Sequence, residues 1–261
     1  MINGANFFPV NILLYITPKG FEWTSAYWIY ALLLLSLMVM AVLVRFPKHE
    51  KANSAPTGND ATENNAYMEL FRNKYVILFF FSMVACISSD HGIAAWMPKY
   101  FQDVHGLDPL TEGASKLSLY WLLFAVGCLG GMALLKYFDS RKVLACSAVC
   151  AIICLLLALY GGTHISKIAF PAIGLFGSVM WPIIMSLALN SVKKNHEVLS
   201  GVMFTAAIGG ALGPVIIGTV GDWFGLGTSL HYLFLPLLVV LIVAFWAKPL
   251  VVNSTIKEPK L

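Results

Sequence analysis

The chain has 261 residues, of which 59% are hydrophobic and 11% charged, against about 45–50% and 25% in an ordinary soluble domain. That balance excludes a typical soluble enzyme and a disordered chain alike, because the apolar surface far exceeds the charge available to solvate it. The formal net charge of +4 is too small and too dispersed for a nucleic-acid-binding face, so no nucleic-acid partner is expected.

A helix that crosses a bilayer needs about 17–25 consecutive apolar residues at a rise of about 1.5 Å each. Residues 1–25 precede any such run; their apolar stretch 7–16 is too short to cross and lacks the basic flank and small-residue cleavage site of a secretory signal. This extracellular segment is either interfacial or the remnant of a preceding span. The first predicted span is 26–44. A polar stretch rich in Asn, Ala, Thr, Glu and Lys then makes 45–74 a linker by composition. Six further spans follow at 75–98, 117–135, 143–161, 168–190, 198–220 and 229–247. Their short connections predict that 75–247 packs as one six-helix bundle, with 248–261 as a tail. The expected fold class is therefore all-α, a polytopic membrane helical bundle of seven spans.

Loop lysines and arginines set orientation. Thirteen of the seventeen lie on the side of the 45–74 linker and the tail, and four (Lys19, Lys99, Lys116 and Lys167) on the other. The bias predicts an amino terminus outside, a carboxyl terminus in the cytoplasm and residence in the plasma (inner) membrane, with lipid as the surrounding partner.

The five cysteines all fall within spans, which argues against a disulfide framework. Cys146, Cys150 and Cys154 share a helical face, yet that span holds no His or carboxylate to complete a metal site. They read as packing residues, and no metal or cofactor is expected. The glycine clusters are not phosphate loops, since none follows a strand or ends in Gly-Lys-Ser/Thr.

Asp90 is the one acidic residue inside a span. An intramembrane charge costs about 2.5–3.5 kcal/mol on insertion scales, so something must compensate it. Fifteen residues past Tyr75, it stands about 22 Å along the helix, in the outer part of the bilayer. Either it hydrogen-bonds a polar ligand or changes its protonation state in the protein's working cycle, or it sits in an outer vestibule against water or a helix end. His91 adjoins it on another helical face, and both could line a wet cavity. Trp96, Tyr100, Tyr120, Trp121 and Trp181 are candidate platforms for a ligand with a flat apolar face; the competing reading is an interfacial belt, most strongly for Trp96 and Tyr100. Ser178, Pro182, Ser186 and Asn190 recur every four residues as a polar stripe expected to face the bundle interior, contacting solute hydroxyls or a neighbouring helix. Gly127 and Gly131, and Gly201, Gly209 and Gly213, are read as small-residue packing surfaces, and Pro171, Pro214 and Pro236 as bends.

Several runs carry a resemblance. SDHGIAAWMPKYF (89–101), SLYWLLFAVGCLGG (118–131), SVMWPIIMSLALN (178–190) and GVMFTAAIGGALGPVIIGTVGD (201–222) resemble the seventh, eighth, tenth and eleventh helices of the fucose, galactose and glucose proton-symporter branch of the major facilitator superfamily. On this alignment 26–44 corresponds to the sixth of twelve helices. Departures are Cys128 after Gly127, where that branch often has Arg, and a degenerate loop signature at 136–144. The resemblance implies a carrier that binds a small polar solute, a sugar or polyol, by shape and hydrogen bonding, coupled to protons and working by alternating access. It also implies that the proton-carrying carboxylates lie mainly in a first half, so a missing amino-terminal half or a second copy is an expected partner. A seven-span receptor or a non-transporting membrane scaffold stand as the alternatives.

Overall fold

The computed structural model describes residues 25–44, 68, 70 and 72–247. The amino-terminal segment, nearly all of the linker and the tail fall outside the described residues. Among the described residues the secondary structure is helical throughout. Helix α1 covers Ser25–Leu43, the first predicted span almost residue for residue. The other helices are α2 Lys74–His105, α3 Ala114–Tyr137, α4 Ser140–Tyr160, α5 Thr163–Gly177, α6 Met180–Leu189, α7 His196–Thr205, α8 Gly209–Phe224, the four-residue α9 Leu226–Ser229, and α10 Phe234–Trp246. Joined across short irregular turns, they make six membrane-length apolar segments between Lys74 and Trp246.

Local chemistry explains the ends. Asn73 caps α2, its side chain accepting from the Tyr75 N–H, and Asp139 caps α4 by accepting from the Arg141 N–H. Asp108 does the same for a π-helical turn, Pro109–Gly113, that leads into α3. The Thr111 hydroxyl and the Leu110 N–H together hold the Asp108 carboxyl below its ordinary range. The predicted span 75–98 stops at Pro98, but α2 runs on to His105 and ends where Gly106 takes φ 66°. Inside a tightly packed bundle a proline costs one backbone bond without ending the helix. Prolines act elsewhere: Pro182 offers no N–H to the Ser178 carbonyl four residues earlier, and the helix breaks there between α5 and α6.

Helices α2 and α5–α6 form the centre, where 56% of each span is buried. Helix α8 packs along α2, and α3 and α4 pack on opposite sides of α5. Helix α10 closes the back by contacting both α4 and α2. The flanking spans, Pro109–Tyr137 and His196–Phe224, are only 28% and 33% buried.

Glycines set the closest approaches. A Cβ on Gly127 would collide with the Leu175 carbonyl oxygen and Ser178 Oγ, one on Gly131 with the Val179 side chain, one on Gly209 with the Val84 carbonyl oxygen, and one on Gly213 with the Ser88 carbonyl oxygen. These four positions therefore let α3 meet the α5–α6 break and α8 meet α2 at backbone distance. Gly201 departs from the expected packing set: it is exposed, and a Cβ there would have nothing within 4 Å.

Candidate functional site

The two broad faces of the bundle differ in chemistry. Through the bilayer its back exposes Val149, Ile153, Leu156 and Leu157 on α4, and Leu235, Leu238, Ile242 and Phe245 on α10. Such a surface suits lipid tails. The front, built by α2, α6 and α7, exposes the polar His91, Ser186 and Thr205 among apolar side chains such as Phe81 and Phe204. Hydrocarbon offers no hydrogen-bond partners, so polar groups at that depth bond within their own helix, as the Thr205 hydroxyl does to the Val202 carbonyl at 2.7 Å, or face water or other protein.

Asp90 is 8% exposed, on the side of α2 that meets α3 and α5. Its Oδ1 accepts a hydrogen bond from the Tyr120 hydroxyl at 3.3 Å. Helix α5 comes close because its last residue is Gly177: a Cβ there would stand 2.8 Å from Asp90 Oδ1. Three residues earlier, a Cβ on Gly174 would stand 2.6 Å from the Tyr120 carbonyl oxygen and 2.9 Å from its ring. Two glycines on one face of α5 thus receive the carboxylate and the tyrosine that holds it. Cys86, one turn before Asp90, is fully buried. Among the described residues the ion pairs, Lys99–Asp103, Arg141–Asp139 and Lys167–Glu112, lie at helix ends, so no cationic side chain pairs with Asp90. Also among the described residues, no group of three or more His, Cys, Asp or Glu forms a metal centre.

The predicted site residues scatter around this pair. Tyr120 is fully buried, so its ring face is closed to a solute and its hydroxyl serves Asp90. Trp121 is half-buried beside it, with ring centroids 5.4 Å from Tyr120 and 5.6 Å from Phe124. Trp181, on α6, is half-buried against exposed Phe204 of α7 at 6.1 Å. The rings thus form two separate pairs, Trp121–Phe124 on α3 and Trp181–Phe204 between α6 and α7. Trp96 belongs to neither a belt nor a platform: its Nε1 donates to the Pro214 carbonyl at 2.9 Å, and its ring lies over Gly218. It ties α2 to α8. Tyr100, expected near the interface, is buried, with its ring 5.0 Å from Phe170 and 6.1 Å from Phe101. His91 is exposed and leans on α8, 3.1 Å from where a Cβ on Gly210 would be.

The polar stripe does not hold to one environment. Ser178 is buried and donates to the Leu175 carbonyl, Pro182 and Ser186 are exposed, and Asn190 is half-buried and donates to Ser186 Oγ at 3.4 Å. A repeat of four drifts around a helix of 3.6 residues per turn, and the break at Ser178–Val179 adds its own rotation. Sequence reasoning missed Gly174, Gly177, Phe124 and Phe204. The glycines at 174 and 177 sit in a GLFGS run whose i, i+3 spacing was a signal; the two phenylalanines are lost among the seventeen in so apolar a chain.

Comparison with known proteins places this geometry. Residues 11–207 match the family model of the Major Facilitator Superfamily. The chain is 29% identical over 221 residues to a protein named glucose/galactose transporter from Brucella abortus, covering 83% of this chain and 52% of that one. It is 24% identical over 205 residues to the L-fucose-proton symporter of Escherichia coli, covering 77% and 46%. The crystal structure of the E. coli fucose:proton symporter superposes with a TM-score of 0.73 at 21% identity, over 87% of this chain and 55% of that one. The chain thus spans about half the length of the curated relatives it matches.

Proposed function

The chain belongs to the Major Facilitator Superfamily and is an integral membrane protein, and from that premise we propose that its six-helix bundle supplies one wall of a transport pathway for a small sugar or polyol. The observation that carries the reading is the front face itself. The helices that build and adjoin it carry Asp90 on α2, bonded to Tyr120 of α3, the half-buried indole of Trp121 beside that tyrosine, and the half-buried indole of Trp181 on α6. Aromatic faces stack on the C–H face of a pyranose, and a carboxylate accepts from its hydroxyls. Such a pair of interactions is how a pocket binds a neutral polyol by shape and hydrogen bonding, with no covalent step. The relatives named for glucose, galactose and fucose support the same solute class.

The wall needs an opposite. In carriers of this architecture the solute site lies between two six-helix units that rock against one another. We assign the front face to that interface, where a second six-helix unit, whether an amino-terminal half or another copy, closes the pathway. Proton coupling belongs to the proposal too. Asp90 is the ionisable carboxyl group within the described spans at bilayer depth, where such groups serve as relays. The excess of Lys and Arg on alternate loops supports a cytoplasmic carboxyl terminus.

The test is uptake of labelled glucose, galactose and fucose by cells producing the protein as it occurs in its own organism, with Asp90→Asn for comparison. Asp90→Asn is expected to lower uptake while leaving the amount of protein in the membrane unchanged. Wild-type uptake by that variant at every sugar concentration and pH removes Asp90 from the mechanism.

A further inference from the structure

Tyr120 has the aromatic character of a sugar platform, yet its ring is wholly enclosed and its hydroxyl is turned 3.3 Å from Asp90 Oδ1. Against the same oxygen stands Gly177, where an added Cβ would be 2.8 Å away and would force the carboxylate to shift. Gly174 closes the set by letting α5 lie against the ring and carbonyl of Tyr120. Three helices therefore converge on one carboxylate oxygen.

We infer that Tyr120 is a positioning residue for Asp90 and that Gly177 is the steric stop that completes the socket, so that Oδ1 is held inside the bundle and Oδ2 is presented to the front. A carboxylate at the end of two free side-chain torsions samples several orientations. One hydrogen bond from a buried, rigid tyrosine on a neighbouring helix selects among them, because the ring has no freedom to follow a wandering carboxyl. Among the described residues, Tyr120 is the side chain that donates to Asp90. The second oxygen is then the one that meets a solute hydroxyl. This inference rests on the transport reading for what Oδ2 meets, but the socket itself is a statement about α2, α3 and α5.

The experiment uses the full chain in its native membrane and reads Asp90 directly. Dicyclohexylcarbodiimide modifies carboxyl groups in apolar surroundings, and the modified peptide containing Asp90 is quantified by mass spectrometry. Compared are wild type, Tyr120→Phe, Gly177→Ala, and Gly130→Ala as a control, since a Cβ on Gly130 would have nothing within 4 Å. Tyr120→Phe keeps the ring and removes only the donor. It is expected to change the labelling rate of Asp90 by about five- to tenfold, the effect of one lost hydrogen bond. Gly177→Ala pushes Oδ1 off the tyrosine and shifts the rate in the same direction, while Gly130→Ala matches wild type. Wild-type labelling in Tyr120→Phe overturns the inference. If that variant is missing from the membrane, wild-type labelling in Gly177→Ala overturns it alone.

A parallel set of reactions with glucose, galactose or fucose present separates this inference from the transport reading. If no sugar slows labelling of the wild type, the transport reading fails, and the socket is still judged by the ratio of variant to wild type. If a sugar protects Asp90 and Tyr120→Phe labels as wild type does, the socket fails and transport stands.

Discussion

Substituting Gly213 by alanine replaces a hydrogen by a methyl group, a net addition of one carbon and two hydrogens, at the tightest point between α8 and α2. The new Cβ would collide with the Ser88 carbonyl oxygen and lie 2.8 Å from Ser88 Oγ. Because the carbonyl is backbone in the middle of α2, no side-chain rotation relieves the contact, and the helices must separate. Overpacking costs about 1–3 kcal/mol, and a contact with backbone that no side chain can relieve falls in the upper part of that range, about 2–3 kcal/mol, while replacing a helical glycine by alanine returns about 1 kcal/mol. A net loss of about 1–2 kcal/mol lowers the melting temperature by about 2–8 °C in a protein of this size. Gly130→Ala sets the opposite sign, since a Cβ there would have nothing within 4 Å and the gain in helix propensity stands unopposed, raising the melting temperature by a few degrees. A maleimide dye that fluoresces on reaction with thiols, added after the accessible thiols have been blocked in the folded state, supplies the assay, because Cys86 is fully buried on α2 and becomes reactive only as the bundle opens. A Gly213→Ala variant that melts at or above wild type refutes the reasoning that backbone contact at this seam holds α8 to α2.

Three further outcomes follow from other contacts. Arg141 Nη1 donates to the Ala247 carbonyl at 3.0 Å at the end of α10 while Nη2 pairs with Asp139 at 3.5 Å; Arg141→Gln is expected to cost about 1 kcal/mol given its partial exposure, read as faster proteolysis after α10. In folded protein in detergent, Cys146, which is exposed, reacts with a bulky maleimide well before Cys86, which is not; equal rates on intact-mass analysis would contradict the packing of α2. The Thr111 hydroxyl and Leu110 N–H hold the Asp108 carboxyl below its ordinary range, so its capping contribution is fully present above the unfolded value of 3.8 and is lost as pH falls through the lower folded value. Hydrogen exchange at the Leu110 amide, compared between wild type and Asp108→Ala, should therefore show protection that depends on Asp108 at neutral pH and disappears only in strong acid.

The sequence by itself determined that this is a helical membrane protein, because the length of an apolar run is a local property fixed by the thickness of a bilayer. Ser25–Leu43 and the six later segments lie where hydropathy put them, and Gly127, Gly131, Gly209 and Gly213 lie at close helix contacts. Ends were less legible: α2 passes Pro98 because inside a packed bundle a proline costs one backbone bond without ending the helix, and the break before α6 reflects Pro182 acting on a carbonyl four residues away. What only the tertiary structure decided is direction. Asp90 could be singled out by rarity, but that Tyr120 rather than His91 or Trp96 would reach it depends on how α3 is rotated against α2. Nearly every position in a span is apolar, so the contrast between faces that locates a soluble helix is missing, and the polar stripe from Ser178 to Asn190 could not reveal which way it turned. In water, burial sorts polar from apolar residues along the chain; in a bilayer lipid accepts the same side chains as the core does, so shape, glycine by glycine, chooses the interior.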